Sequence, residues 1–142
     1  DGSAAVRLGD GYALALSRDG TRALSTLPEA LAKPVILSTG AGEPIPLNIS
    51  LKVNLGFFAR WFPDGKRILF AGAEPNLLPR LWVYDLGSEK MKPVTPEAIG
   101  APAVISPDQR SVLARSIGEG YALYSIDGGE AQNWTLIAGA LE

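Results

Sequence analysis

Short apolar runs broken by polar turns fill this chain, and none sustains the 3.6-residue rhythm of an amphipathic helix. Tyr12-Ala13-Leu14-Ala15-Leu16 leads into Ser17-Arg18-Asp19-Gly20, and a second run follows through Ala23-Leu24. Phe57-Phe58-Ala59-Arg60-Trp61 leads into Phe62-Pro63-Asp64-Gly65, followed by Ile68-Leu69-Phe70. Ala101-Pro102-Ala103-Val104-Ile105 leads into Ser106-Pro107-Asp108-Gln109, followed by Val112-Leu113. Asp19, Asp64 and Asp108 therefore recur at intervals of 45 and 44 residues. A third run comes next in each copy: Pro34-Val35-Ile36-Leu37, Leu81-Trp82-Val83-Tyr84 and Tyr121-Ala122-Leu123-Tyr124. Glycine-containing turns ending at Glu43, Glu89 and Glu130 then lead to shorter fourth runs near 44–47, 92–95 and 133–137.

Four short strands between turn signals form an antiparallel meander, and a repeat of about 45 residues holding four strands is one propeller blade. The pattern predicts an all-β chain, a β-propeller fragment of three four-stranded antiparallel blades. Blade one is expected over 10–54, blade two over 55–98 and blade three over 99–142. Residues 1–9 read as the last strand of a preceding blade: Ser3-Ala4-Ala5-Val6-Arg7-Leu8 follows Asp1-Gly2 much as 132–137 follows Asp127-Gly128-Gly129. The runs are nearly continuous rather than alternating, as expected where stacked blades bury both faces. Trp61, Phe62, Phe70, Trp82, Tyr84 and Tyr124 are expected to fill the space between blades.

Asp-Gly between two apolar strands is a strong hairpin signal, because glycine accepts a positive φ without steric cost. Aspartate bonds backbone N–H groups across such a turn, and a preceding proline presets φ. Asp19, Gly20, Pro63, Asp64, Gly65, Pro107 and Asp108 are accordingly assigned to turn formation. Arg18 stands where the other copies have proline, and Gln109 where they have glycine. Those departures predict weaker turns, or a different turn type in the third copy.

The stretch Ala59-Arg60-Trp61-Phe62-Pro63-Asp64-Gly65-Lys66-Arg67-Ile68-Leu69-Phe70 resembles the repeat of the TolB-like, PD40-type (WD40-like) bacterial propellers, roughly W-S-P-D-G-K-x-I-A-F. The other copies match through Ser17, Asp19 and Gly20, and through Ser106, Pro107 and Asp108, so the likeness covers nearly the whole chain; Phe62 replaces the usual serine. The resemblance implies a closed ring of six or more blades, a periplasmic or extracytoplasmic setting, and binding of proteins, peptides or glycans at one face of the channel. It also implies two common neighbours, a Ser/Thr kinase domain or a serine peptidase domain.

Composition narrows the chemistry. Histidine and cysteine are both absent, which removes Ser-His-Asp triads, thiolate nucleophiles, zinc–thiolate sites and any histidine base. A net charge of −2 gives no general attraction to phosphate backbones, so nucleic acid is not an expected partner. No run approaches the length needed to span a bilayer. The regularly spaced aspartates are expected one per blade rather than converging, and no EF-hand pattern accompanies them. Gly40-Ala41-Gly42 and Gly118-Glu119-Gly120 complete no phosphate-loop motif. No catalytic residue, metal site or cofactor is therefore expected.

What remains is binding. Loops over 27–33 and 74–79 link second and third strands, and loops on a propeller rim carry specificity. Leu77 and Leu78 in the latter, and Leu31 in the former, are candidates for partner contact or for covering a blade edge. Arg60, on an innermost-type strand where other copies have Ala15 and Val104, either faces the channel or forms a buried salt bridge. The leading function is a non-catalytic binding or scaffolding module for proteins or peptides within a larger bacterial protein, such as the sensor domain of a receptor kinase. The alternatives are the substrate-gating propeller of a prolyl-oligopeptidase-like peptidase and a glycan- or small-molecule-binding propeller. Three blades cannot close a ring. The expected remedy is a head-to-tail homodimer forming a six-bladed ring; the competing reading is an excised piece, in keeping with a first residue that is not methionine.

Overall fold

A computed structural model describes residues 2, 4–27, 30–49, 58–99, 101–115, 120–128 and 132–134, with the side chains of 30–32 and 132–134 excepted. The expected boundary between blades one and two, at 54 and 55, lies outside the described residues, as do Ser3, Leu31's side chain and 135–142.

Twelve strands form three four-stranded antiparallel meanders among the described residues. The first comprises β1 (Tyr12–Leu16), β2 (Arg22–Leu27), β3 (Ala30–Ser38) and β4 (Ile45–Pro46). The second comprises β5 (Ala59–Trp61), β6 (Arg67–Gly72), β7 (Arg80–Asp85) and β8 (Lys90–Pro93). The third comprises β9 (Ala103–Ile105), β10 (Ser111–Arg115), β11 (Tyr121–Ser125) and β12 (Gln132–Trp134). Strand order follows chain order in every sheet, and β1 of the first sheet lies against β5 of the second. The chain is a segment of β-propeller.

The two-residue alternation of strands decides how the blades stack. In β6, Ile68 and Phe70 point into one core while Leu69 and Ala71 point into the other; in β7, Trp82 and Tyr84 oppose Leu81 and Val83 in the same way. The first core joins blade two to Leu24, Ile36 and Leu47 of blade one. The second joins it to Val112, Ala114, Ala122, Tyr124 and Ile126 of blade three. Phe62, Leu69 and Leu81 are wholly buried. Burial also raises the phenol pKa of Tyr84, partly offset by the Asn48 backbone N–H bonded to its oxygen. Thr95 ties the exit from β8 into this packing: its buried hydroxyl accepts from Leu81 N–H at 2.9 Å and donates to the Ile99 carbonyl at 2.8 Å.

Several expectations need correction. Residues 4–9 form no strand. The segment instead runs beside blade one, with Gly9 against Leu37. Blade one's fourth strand shrinks to Ile45–Pro46, since prolines at 44 and 46 remove ladder donors. A register shift between Ala13 and Ala15 turns both Leu14 and Ala15 toward the first core, a bulge that the apolar run did not announce.

Burial on both sides makes blade two the keystone. Phe70→Ala is expected to cost about 3–5 kcal/mol, the usual range for emptying an aromatic site. Leu78→Ala, at a position 58 % exposed, should stay within about 0.5 kcal/mol. Chemical denaturation of the two variants checks the contrast.

Candidate binding surface

Each blade's first two strands are joined by the same turn, built from its repeat residues. Gly20 N–H donates to the Ser17 carbonyl at 2.9 Å, Gly65 N–H to Phe62 at 2.9 Å, and Gln109 N–H to Ser106 at 2.9 Å. The donors sit at φ of 72°, 66° and 62°, so the third turn keeps the type of the others, with Gln109 held where glycine is preferred. That corrects the expectation of a different turn. A side-chain contact compensates: Gln109 Oε1 accepts the Asp64 backbone N–H at 3.1 Å.

The aspartates act on these turns. Asp19 Oδ1 accepts from Ser17 Oγ at 2.7 Å, Thr21 N–H at 3.0 Å and Thr21 Oγ1 at 2.9 Å. These donors, Ser17 first, hold its carboxyl at about 2 instead of 3.8. Asp108 is lowered by Ser106 Oγ at 2.5 Å and Arg110 N–H at 3.0 Å. For Asp64, burial pushes upward, but Lys66 N–H and the Arg67 guanidinium outweigh it and leave the pKa lowered. Asp85 is lowered in the same sense by Ser88, in the turn between β7 and β8. Pro63 and Pro107 occupy the exposed second position of their turns, as Arg18 does in blade one.

Adjacent turns are latched together. Arg22 of blade one donates to the Gly65 carbonyl of blade two at 2.6 Å and lies 4.5 Å from the centroid of the Trp61 ring. Arg67, at the same offset in blade two, reaches Gln109 of blade three at 3.4 Å, pairs with Asp64 at 2.8 Å and stacks on Phe62 at 4.3 Å. The stacked Arg22 lies over an indole whose N–H is buried without a hydrogen-bond partner among the described residues. Asp19 and Asp64 line one groove of about 390 Å³ with Arg18 and Arg22. No group of three His, Cys, Asp or Glu that could hold a metal occurs among the described residues. The latch escaped the sequence reading, although its signal was present: arginine three residues after the turn aspartate in two of three copies.

At the opposite end of blade two, the β6–β7 loop is braced from three sides. Leu77 N–H donates to the Glu74 carbonyl at 3.1 Å, with Pro75 and then Asn76, at φ 65°, between them. Arg80 pairs with Glu74 at 2.5 Å and stacks over Trp82 at 4.7 Å, while Trp82 Nε1 donates to the Gly72 carbonyl at 3.0 Å. The brace leaves Leu77 and Leu78 exposed, at 43 % and 58 %. Phe58 lies at the same end, since its carbonyl accepts Ala71 N–H. Arg60 is exposed, stacks over Phe58 at 5.1 Å and donates to its neighbour's carbonyl, Ala59 O, at 3.0 Å. No carboxylate pairs with it among the described residues, so the buried salt bridge is not formed.

Radial stacking of four-stranded meanders defines this chain as part of a β-propeller, and it superposes on solved structures of TolB proteins. One is the crystal structure of TolB from Acinetobacter baumannii, with a TM-score of 0.69 and 22 % identity over 89 % of this chain and 32 % of that one. Another is the structure of a putative TolB from Agrobacterium tumefaciens, with a TM-score of 0.64 and 15 % identity over 89 % of this chain and 50 % of that one. The chain thus spans a third to a half of the TolB chains it matches and has the fold of a TolB-like propeller segment. No family model and no curated protein matches it.

Two outcomes follow for the turn face. A Cβ at Gly20 meets nothing within 4 Å, so Gly20→Ala should cost only the backbone strain, about 1–2 kcal/mol; at Gly65 the same Cβ comes within 2.8 Å of the Arg22 guanidinium, so Gly65→Ala should cost more. Thermal melts of both variants give the order. Acid sensitivity follows from the lowered carboxyls: an aspartate depressed in the folded state stabilises above its unfolded pKa near 3.9, and that contribution is lost as pH falls through the folded value. Melting temperature should therefore drop between pH 4 and about 2, the folded value of Asp19. Asp19→Asn should flatten that drop in a pH series of thermal melts.

Proposed function

We propose that the chain is a non-catalytic binding module, contributing propeller blades to a larger bacterial protein and contacting protein or peptide partners through the end that carries the β6–β7 loop. The observation that carries this reading is the braced loop. An ion pair, a type of turn that needs Asn76 at positive φ, and a buried indole hydrogen bond together hold two leucines out in water. Exposing Leu77 and Leu78 gains nothing for folding, whereas rigid apolar side chains bind with little entropy to lose. Arg60 and Phe58, at the same end, add a cation for acidic or carbonyl-rich segments. The absence of histidine and cysteine from the sequence supports a role without nucleophilic catalysis. The turn aspartates support it too, each being engaged by its own turn.

Peptides selected from a random library on the immobilised chain test the proposal, with affinities read by fluorescence anisotropy. The double variant Leu77→Asp/Leu78→Asp should weaken the selected peptides roughly tenfold or more, at an unchanged melting temperature. Arg60→Ala should weaken the acidic ones among them. Selected peptides that bind the double variant as tightly as the parent would place recognition elsewhere and defeat the reading.

A further inference from the structure

The dipeptide Asp-Gly, which closes hairpins in this chain, is also prone to rearrange through its own backbone. The glycine nitrogen attacks Cγ of the aspartic acid: a C–N bond forms, the Cγ–O bond breaks, and water leaves with the amide proton. Water then reopens the five-membered succinimide at either carbonyl. One opening restores aspartate; the other leaves isoaspartate, with the main chain rerouted through Cβ and Cγ. Glycine permits the step because no side chain obstructs the ring and its backbone turns freely. The reaction needs an uncharged carboxyl and a peptide nitrogen free to swing toward it.

Asp-Gly pairs starting at residues 10, 19, 64 and 127 lie among the described residues, and the first three are held against this reaction. Asp19 Oδ1 accepts three hydrogen bonds, and Gly20 N–H is committed to the Ser17 carbonyl at 2.9 Å. Those bonds, the one from Ser17 first, hold the carboxyl at about 2 instead of 3.8, which makes its acid form about 60-fold scarcer at neutral pH. Asp64 divides its oxygens between Lys66 N–H at 2.8 Å and Arg67 Nε at 2.9 Å. Gly65 beside it is fixed at both polar groups, by the Phe62 carbonyl at 2.9 Å and by Arg22 at 2.6 Å. Asp10 is paired with Arg7, and Gly11 is pressed onto β2, where a Cβ would lie 2.4 Å from the Thr26 carbonyl oxygen.

Asp127-Gly128 differs on each count. It lies in the connection from β11 to β12, outside the repeated turn, and the Asp127 side chain is 88 % exposed. Among the described residues its carboxylate meets only Lys92 Nζ of blade two, at 3.3 Å. Gly128 N–H reaches the Ser125 carbonyl at 3.3 Å, longer than the 2.9 Å of the Gly20 and Gly65 turns. From this contrast we propose that Asp127-Gly128 is a site of spontaneous isoaspartate formation in the folded chain, and there a substrate for a methyltransferase that esterifies isoaspartyl carboxylates. The proposal uses contacts within the chain only and is independent of the binding end proposed above.

The test is to age the folded chain at neutral pH and body temperature and digest it with trypsin, which puts the four pairs on separate peptides. Isoaspartate is read by transfer of a labelled methyl group from S-adenosylmethionine, using a protein-isoaspartate methyltransferase. Label should enter the Asp127 peptide faster than the Asp19 peptide by roughly tenfold or more, and faster than the Asp10 and Asp64 peptides. Asp127→Glu cannot close the five-membered ring and should abolish that label without moving the melting temperature. Aged in urea, the four sites should label at similar rates, because the folded turns make the protection. Equal labelling of the four sites in the folded chain would overturn the proposal. So would an order of rates that persists unchanged in urea, which would trace the selectivity to adjacent residues and not to the fold.

Discussion

Everything in this structure depends on burying both faces of a four-stranded sheet. A single meander of this length exposes two apolar surfaces, and among the described residues no helix covers either. The second blade meets that constraint with neighbours of its own kind: Ile68, Phe70, Trp82 and Tyr84 on one side, Leu69, Ala71, Leu81 and Val83 on the other. Stability here is a sum of blade interiors and the contacts between them, as in other repeat proteins. The weight falls on the middle blade, which contributes to both cores.

The polar turns serve this stacking. Their aspartates are engaged locally, each closing its own hairpin through backbone N–H groups and neighbouring hydroxyls. Arg22 and Arg67 carry the connection outward, from one turn to the next, while their aliphatic and planar parts pack on Trp61 and Phe62. These contacts lie at the edge of the apolar cores, where a charged group keeps access to water and is not heavily desolvated. Exposed pairs such as Lys92–Asp127, at 3.3 Å between blades two and three, contribute far less. The turn end is thus committed to structure, while the loop end of blade two leaves Leu77 and Leu78 exposed.

Much of the fold was legible from the chain. The spacing of Asp19, Asp64 and Asp108 marks the blades, and strand positions such as Tyr12–Leu16 coincide with the apolar runs. Where the reading failed, a non-local cause was at work. The bulge at Leu14 arises because two apolar residues side by side both find the same core. Gln109 keeps a turn meant for glycine because Asp64, far off in sequence, supplies a bond to its side chain.

Sequence by itself determined the repeat, the class of fold and the chemistry that is out of reach, because those follow from local periodicity and from residue types present or absent. Tertiary structure alone decided which face each side chain occupies, that Arg22 and Arg67 bridge blades, and that Leu77 and Leu78 stand out on a braced loop. Such facts turn on which distant segments meet. A two-residue alternation names two faces without saying what covers either, and only packing supplies that answer.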